Sequence, residues 1–197
     1  MSAPETQAPG AARGPPVRLA ACELRITEAS DFSRGATLRS AAESHGVALP
    51  PPGRVLVTGA PPALCVRPGR WLLLEPPGGA AGAGPPWLDA AAAQVALVDL
   101  SSALAAFVLS GAGAPGVLSR GCRLDLDPAR FAAGSAAATI VAQVSVVLAA
   151  LPAGILLLTP ASTARHFRDW LIGAARAFEL RELAAMPVTE LFGVRSL

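Results

Sequence analysis

The chain has 197 residues, 52% of them apolar and only 15% charged, enough for one compact domain or two small halves under a thin charged coat. Its net charge of +2, with no arginine cluster interleaved with aromatics, excludes binding to nucleic acid through a basic face. Three cysteines (Cys22, Cys65 and Cys122) stand far apart without a CxxC pair, which disfavours a disulfide framework or a zinc site and suits a reducing cytoplasm.

Residues 1–16 are rich in Ala, Pro and Gly, lack an apolar run of signal-peptide length, and read as a disordered tail. Val17 to Ile26 is a first strand. Leu38 to His45 has the pattern of a short helix closed by Gly46, the residue type favoured just past a helix end. A proline-rich connector, Leu49 to Gly53, precedes strands at Arg54–Thr58, Ala63–Val66 and Trp71–Leu74, with turns at Gly59–Pro62 and Pro68-Gly69. Gly78 to Pro86 is a loop, and Trp87 to Ala93 an alanine-rich helix.

Val95–Leu100 and Leu104–Ser110 are the next strands, followed by a short helix at Pro115–Arg120 closed by Gly121 and a charged surface loop from Cys122 to Arg130. Phe131 to Ala164 contains no Asp, Glu, Lys or Arg and is long enough to cross a bilayer. Its internal pattern argues for strands instead. Thr139, Gln143 and Ser145 share one parity and Ile140, Ala142, Val144 and Val146 the other, so Thr139–Val146 reads as a strand. Leu151–Gly154 then turns the chain into a second strand at Ile155–Leu158, and Pro152 would sit badly within a continuous helix. Thr159 is placed to cap a last helix running to about Phe178, with Phe167, Trp170, Leu171, Ala174 and Phe178 on one face.

The expected class is therefore α+β. The order of elements repeats: Trp71-Leu-Leu-Leu-Glu-Pro compares with Ile155-Leu-Leu-Leu-Thr-Pro, and each is followed by a helix carrying a tryptophan (Trp87, Trp170). This suggests two duplicated strand-helix-hairpin-helix halves, 17–93 and 94–182, with a C-terminal tail at 183–197.

Chemistry-bearing residues are scarce. His45 sits at a helix end, where it meets the helix dipole favourably, and His166 has Asp169 at i+3, a spacing common on exposed helix faces. Asp99 with Ser101 and Ser102 could mimic an acid–hydroxyl pair, although turn or cap roles are the usual fate of such residues. Asp125 and Asp127 with Arg123 and Arg130 have the spacing of a solvated ion-pair cluster and lack the further oxygen ligands a metal would need. Gly78–Gly84 has no Lys-Ser/Thr of a phosphate loop, and Cys122 has no histidine near it in sequence. No catalytic, cofactor-binding or metal-ligating residue is assigned on this basis.

Several segments nevertheless carry a family likeness. Val95-Ala-Leu-Val-Asp-Leu-Ser-Ser, Ser110-Gly-Ala-Gly-Ala-Pro-Gly-Val-Leu-Ser-Arg-Gly-Cys-Arg-Leu-Asp-Leu, Phe131-Ala-Ala-Gly and Phe167-Arg-Asp-Trp-Leu resemble the gamma subunit of heterotetrameric sarcosine oxidase. Thr37-Leu-Arg, Gly46-Val-Ala-Leu-Pro and Val66-Arg-Pro-Gly-Arg-Trp-Leu-Leu-Leu extend the likeness into the first half, so that it covers about Ile26 to Leu180. One departure is Ile140, which follows Thr139 where that family usually has arginine. The resemblance implies a fold like the folate-binding region of the glycine-cleavage T-protein. It implies a non-catalytic cytoplasmic subunit held by alpha, beta and delta partners, chiefly alpha, with no nucleic acid and no membrane. FAD, FMN, NAD, tetrahydrofolate and zinc would all lie on other subunits. The implied reaction is oxidative demethylation of sarcosine to glycine, with tetrahydrofolate accepting the one-carbon unit. A subunit of N-methylglutamate dehydrogenase and a stand-alone T-protein-like folate binder are the alternatives. The thin charged coat fits a surface covered by partners.

Overall fold

A computed structural model describes residues 14–57, 61–78, 85–91 and 93–192. Eleven strands among these residues form two sheets. The six-stranded sheet has the order β11-β1-β7-β10-β9-β8, built from β1 (Gly14–Cys22), β7 (Leu104–Ser110), β8 (Ala136–Val141), β9 (Val144–Leu151), β10 (Gly154–Pro160) and β11 (Phe178–Glu182). The five-stranded sheet has the order β3-β4-β5-β2-β6, built from β2 (Arg25–Asp31), β3 (Arg54–Leu56), β4 (Ala63–Arg67), β5 (Arg70–Glu75) and β6 (Val95–Asp99). All pairings are antiparallel except β1 with β11.

The sheets pack face to face, and each carries helices on its outer side. Between the sheets, Ile26, Leu64, Leu72 and Leu74 of one meet Val108, Ala149, Leu156 and Leu158 of the other. Outside the larger sheet, Phe107, Leu109, Leu148 and Leu157 pack under α3 (Ala114–Leu118) and α4 (Ala164–Ala174). Outside the smaller sheet, Ala29, Cys65, Trp71 and Leu73 pack under α1 (Ala36–Ser44) and α2 (Pro86–Ala90). Alternate residues of one strand thus enter different cores, as Leu157 and Leu158 do, and neither face needs polar side chains. That layering accounts for the apolar runs Trp71–Leu74 and Ile155–Leu158, each leucine contributing roughly 1.5–3 kcal/mol on burial. It also accounts for much of the low charge content, which the sequence alone attributed to partners.

The expected first strand, Val17–Ile26, is two strands in different sheets. Val17 and Leu19 of β1 face α3 and α4, the chain crosses at Glu23-Leu24, and Ile26 of β2 enters the layer between the sheets. The strand begins at Gly14, within the stretch expected as a tail, because Gly14 to Leu19 pair with Phe178 to Glu182. Residues 1–13 lie outside the described set. Likewise β6 completes the sheet of the preceding half by pairing with β2, so each sheet borrows one strand across the expected boundary at 94. Each half runs strand, strand, helix, three-stranded meander, helix, a fuller unit than the duplicated strand-helix-hairpin-helix expected.

Thr139–Val146 also divides. Ala142 and Gln143 adopt positive φ values of 49° and 67° and form a two-residue turn between β8 and β9. The turn inverts the parity: Val141 pairs with Val144 on the buried face and Ile140 with Ser145 on the exposed one, so Ile140 does not share a face with Val144 and Val146 as a single strand would require. Thr159 does not cap the last helix; it is fully buried at the end of β10, and a 3₁₀ turn at Ala161–Thr163 intervenes before α4. The last helix also stops earlier than expected, since Phe178 opens β11. After β11 the chain pairs Met186 with Cys22 and enters α5 (Val188–Leu191), burying Leu191 and Phe192 between the sheets, in a stretch expected as a tail.

Candidate functional site

The residues singled out in the sequence do not converge. His45 is exposed at the end of α1, its Nδ1 3.0 Å from the Ala41 carbonyl and 3.1 Å from Ser44 Oγ, so it serves the helix terminus. His166 and Asp169 are both exposed on α4. Asp127 Oδ1 accepts the Ala129 amide at 2.8 Å and Asp125 Oδ1 accepts the Asp127 amide at 3.1 Å. These bonds replace the expected ion pairs with Arg123 and Arg130, which form none among the described residues. The three cysteines are buried free thiols, and burial together with Glu23 pushes Cys22 up to about 11. No group of three metal-ligating side chains occurs among the described residues. Residues 79–84 of the glycine-rich segment lie outside them.

One carboxylate not singled out in the sequence is held most tightly. Asp31, buried at the end of β2, accepts the Ser33 amide at 2.7 Å, the Ser33 hydroxyl at 2.5 Å and the Leu38 amide at 2.8 Å. Burial alone would raise its pKa, but these donors and the Gly35 amide outweigh that and hold the carboxyl below its ordinary value. It anchors the first turn of α1, a task signalled only by Asp followed two residues later by Ser.

Asp99 is the sequence candidate with the most consequential surroundings. Its Oδ1 accepts the Ser101 amide at 2.8 Å, while Ser101 Oγ accepts the Ile26 amide at 3.0 Å, so the pair closes a turn and completes the β2–β6 ladder. The Ser101 hydroxyl and amide, with the nearby Arg25 guanidinium, hold the carboxyl below its ordinary value. Asp99 rims a cleft of about 200 Å³ at the outer face of the smaller sheet. Across it, Arg25 Nη2 donates to Glu75 Oε2 at 2.6 Å, and Leu73, Leu88 and Leu97 supply apolar walls. The cleft therefore holds one guanidinium against two carboxylates. It has no nucleophile–base pair, so what it can do chemically is bind a cationic group carried on an apolar stem.

No protein-family model matches the chain, and no curated protein does. Among solved structures the chain is similar to a chain of the heterotetrameric sarcosine oxidase from Corynebacterium sp. U-96, in complex with pyrrole 2-carboxylate. The two share 29% sequence identity with a TM-score of 0.65, over 85% of this chain and 88% of that one. It is also similar in fold to the glycine cleavage system aminomethyltransferase T from Bartonella henselae, at 14% identity and a TM-score of 0.63. That match takes in 87% of this chain but only 48% of the aminomethyltransferase, so the chain spans about half its length. The α+β class and the T-protein-like fold stand on these similarities. No helix among the described residues is long and apolar enough to cross a membrane, and the uncharged stretch Phe131–Ala164 is chiefly β8, β9 and β10.

Proposed function

We propose that this chain is the gamma subunit of a heterotetrameric sarcosine oxidase or of a close relative, a non-catalytic component packed chiefly against the alpha chain. The observation that carries the proposal is the similarity to a chain of such an enzyme over nearly the full length of both. The likeness to the aminomethyltransferase, at 14% identity, supports the fold of the chain. The chain contributes no catalytic residue. Flavins, NAD, tetrahydrofolate and zinc are held by the alpha, beta and delta chains, and the assembly works in the cytoplasm, where the three buried cysteines stay as thiols. The matching strand orders β8-β9-β10-β7-β1 and β3-β4-β5-β2-β6 support descent of the halves from one duplicated unit whose leading strands were exchanged.

The test is gentle affinity purification of the tagged chain from its native host. Recovery with a large and a medium flavoprotein chain, and sarcosine-dependent reduction of oxygen, is the expected result. A preference for N-methylglutamate would identify the related dehydrogenase instead. A colourless monomer that binds tetrahydrofolate would overturn the subunit proposal.

A further inference from the structure

The two sheets differ by one strand, and the difference falls at a defined place. Laid over each other in the matching orders given above, β1 corresponds to β6. In the larger sheet β11 stands outside β1 and runs parallel to it. Among the described residues no strand stands outside β6.

The open edge has the properties of a docking strand. Leu100 N–H bonds to Ile26 O and Phe32 N–H to Gln94 O, so the even-numbered residues of β6 face β2. The N–H and C=O groups of Val95, Leu97 and Asp99 are thus directed away from the sheet. Leu97 is 48% exposed and Val98 46%, one on each face of the strand, and Phe32 beside its N-terminal end is 78% exposed. Proteins protect open edges with charge, proline or a covering element; β6 has no proline, and its one charge, Asp99, stands at its C-terminal end. The cleft beside Leu97 and Asp99 carries two carboxylates against one guanidinium, an excess of one negative charge.

We infer that the free edge of β6 receives an extended segment of the partner subunit, running parallel to β6 as β11 runs beside β1. Its backbone bonds to Leu97 and Asp99, and an arginine or lysine side chain enters the cleft against Asp99. An apolar stem along Leu88 and Leu97 with a cationic head at Asp99 complements both the walls and the charge of that cleft. This inference rests on the proposed function for the identity of the partner.

The experiment compares amide hydrogen exchange in the isolated chain and in the complex purified with its flavoprotein chains. Protection of the Leu97 and Asp99 amides in the complex alone is the expected result. Leu97→Pro removes an outward N–H without touching the β2 ladder, so it should leave the melting temperature of the isolated chain nearly unchanged. It should weaken reassembly with the separated flavoprotein chains by at least about tenfold. Asp99→Asn, which keeps an acceptor for Ser101, should weaken it less, with the gap between wild type and variant closing at high salt. If the complex forms but these amides exchange as freely as in the isolated chain, the docking edge is refuted while the subunit proposal stands. Protection already present in the isolated chain would also overturn it, because the edge would then be covered from within. If no flavoprotein chain associates at all, both proposals fall.

Discussion

Replacing Asp31 with alanine removes the acceptor for the Ser33 amide, the Ser33 hydroxyl and the Leu38 amide in one step. The hydroxyl can turn to water. The Leu38 amide is buried and loses its partner, at a cost of about 1–3 kcal/mol. Loss of the negative charge beside the first turn of α1 adds roughly 0.3–1 kcal/mol through the helix dipole. The sum is about 3 kcal/mol, which for a chain of this size lowers the melting temperature by about 6–12 °C. Urea unfolding followed by circular dichroism measures it, with the midpoint falling and the slope unchanged. The pH dependence supplies an independent check. A carboxyl whose folded-state pKa lies below its unfolded value adds stability above the ordinary carboxylate range, and that stability disappears as pH falls through the folded value. The difference between wild type and Asp31→Ala should therefore be full at neutral pH and shrink on acidification. An Asp31→Ala protein within about 0.5 kcal/mol of wild type, the ordinary range for an inconsequential surface change, would refute the anchoring role.

Three further outcomes follow from particular contacts. Ala142→Asn with Gln143→Gly should stabilise the fold by about 1 kcal/mol in the same urea titration, since both positions already hold positive φ at the cost of non-glycine side chains. Gly121→Ala should lower stability by about 1–3 kcal/mol, because its Cβ would stand 2.5 Å from Trp170 Cζ2 and 3.1 Å from the Ala142 amide nitrogen; an unchanged urea midpoint would show that Trp170 moves aside freely. Cys22, raised to about 11 by burial and Glu23, should resist alkylation at pH 8 in the native protein and react on unfolding. The same raised value means that its contribution to stability is intact below the unfolded thiol pKa and is lost as pH climbs through about 11, which alkaline melting curves would detect.

Local chemistry wrote several elements into the sequence. Gly46, at φ 72°, ends α1 as expected, because a left-handed residue there costs glycine little. Leu104–Ser110 forms the strand its apolar run suggested, and the turn at Pro68-Gly69 falls where Gly69 takes a φ of 76°. Asp99 and Ser101 were legible as a turn pair for the same reason: both bonds they make lie within reach of the local chain or the adjoining strand. The sequence also carried the resemblance, through segments such as Ser110 to Leu126, that the similarity in structure now supports.

What the tertiary structure alone decided is which sheet each strand joins. Val17–Ile26 contains no glycine or proline, so no turn residue marks Glu23-Leu24 as the crossing from one sheet to the other. Strands covered on both faces lose the alternation that would reveal a register, so Ile155–Leu158 could not say which leucine faces a helix and which faces the second sheet. The cleft beside Asp99 was invisible for a related reason. Arg25, Glu75 and Asp99 are separated by 50 and 24 positions in the chain, and only the pairing of β2 with both β5 and β6 brings their side chains to one face. Sequence patterns report the forces acting within a few residues, whereas the exchange of β1 and β6 between sheets is settled by burial of both sheet faces at once.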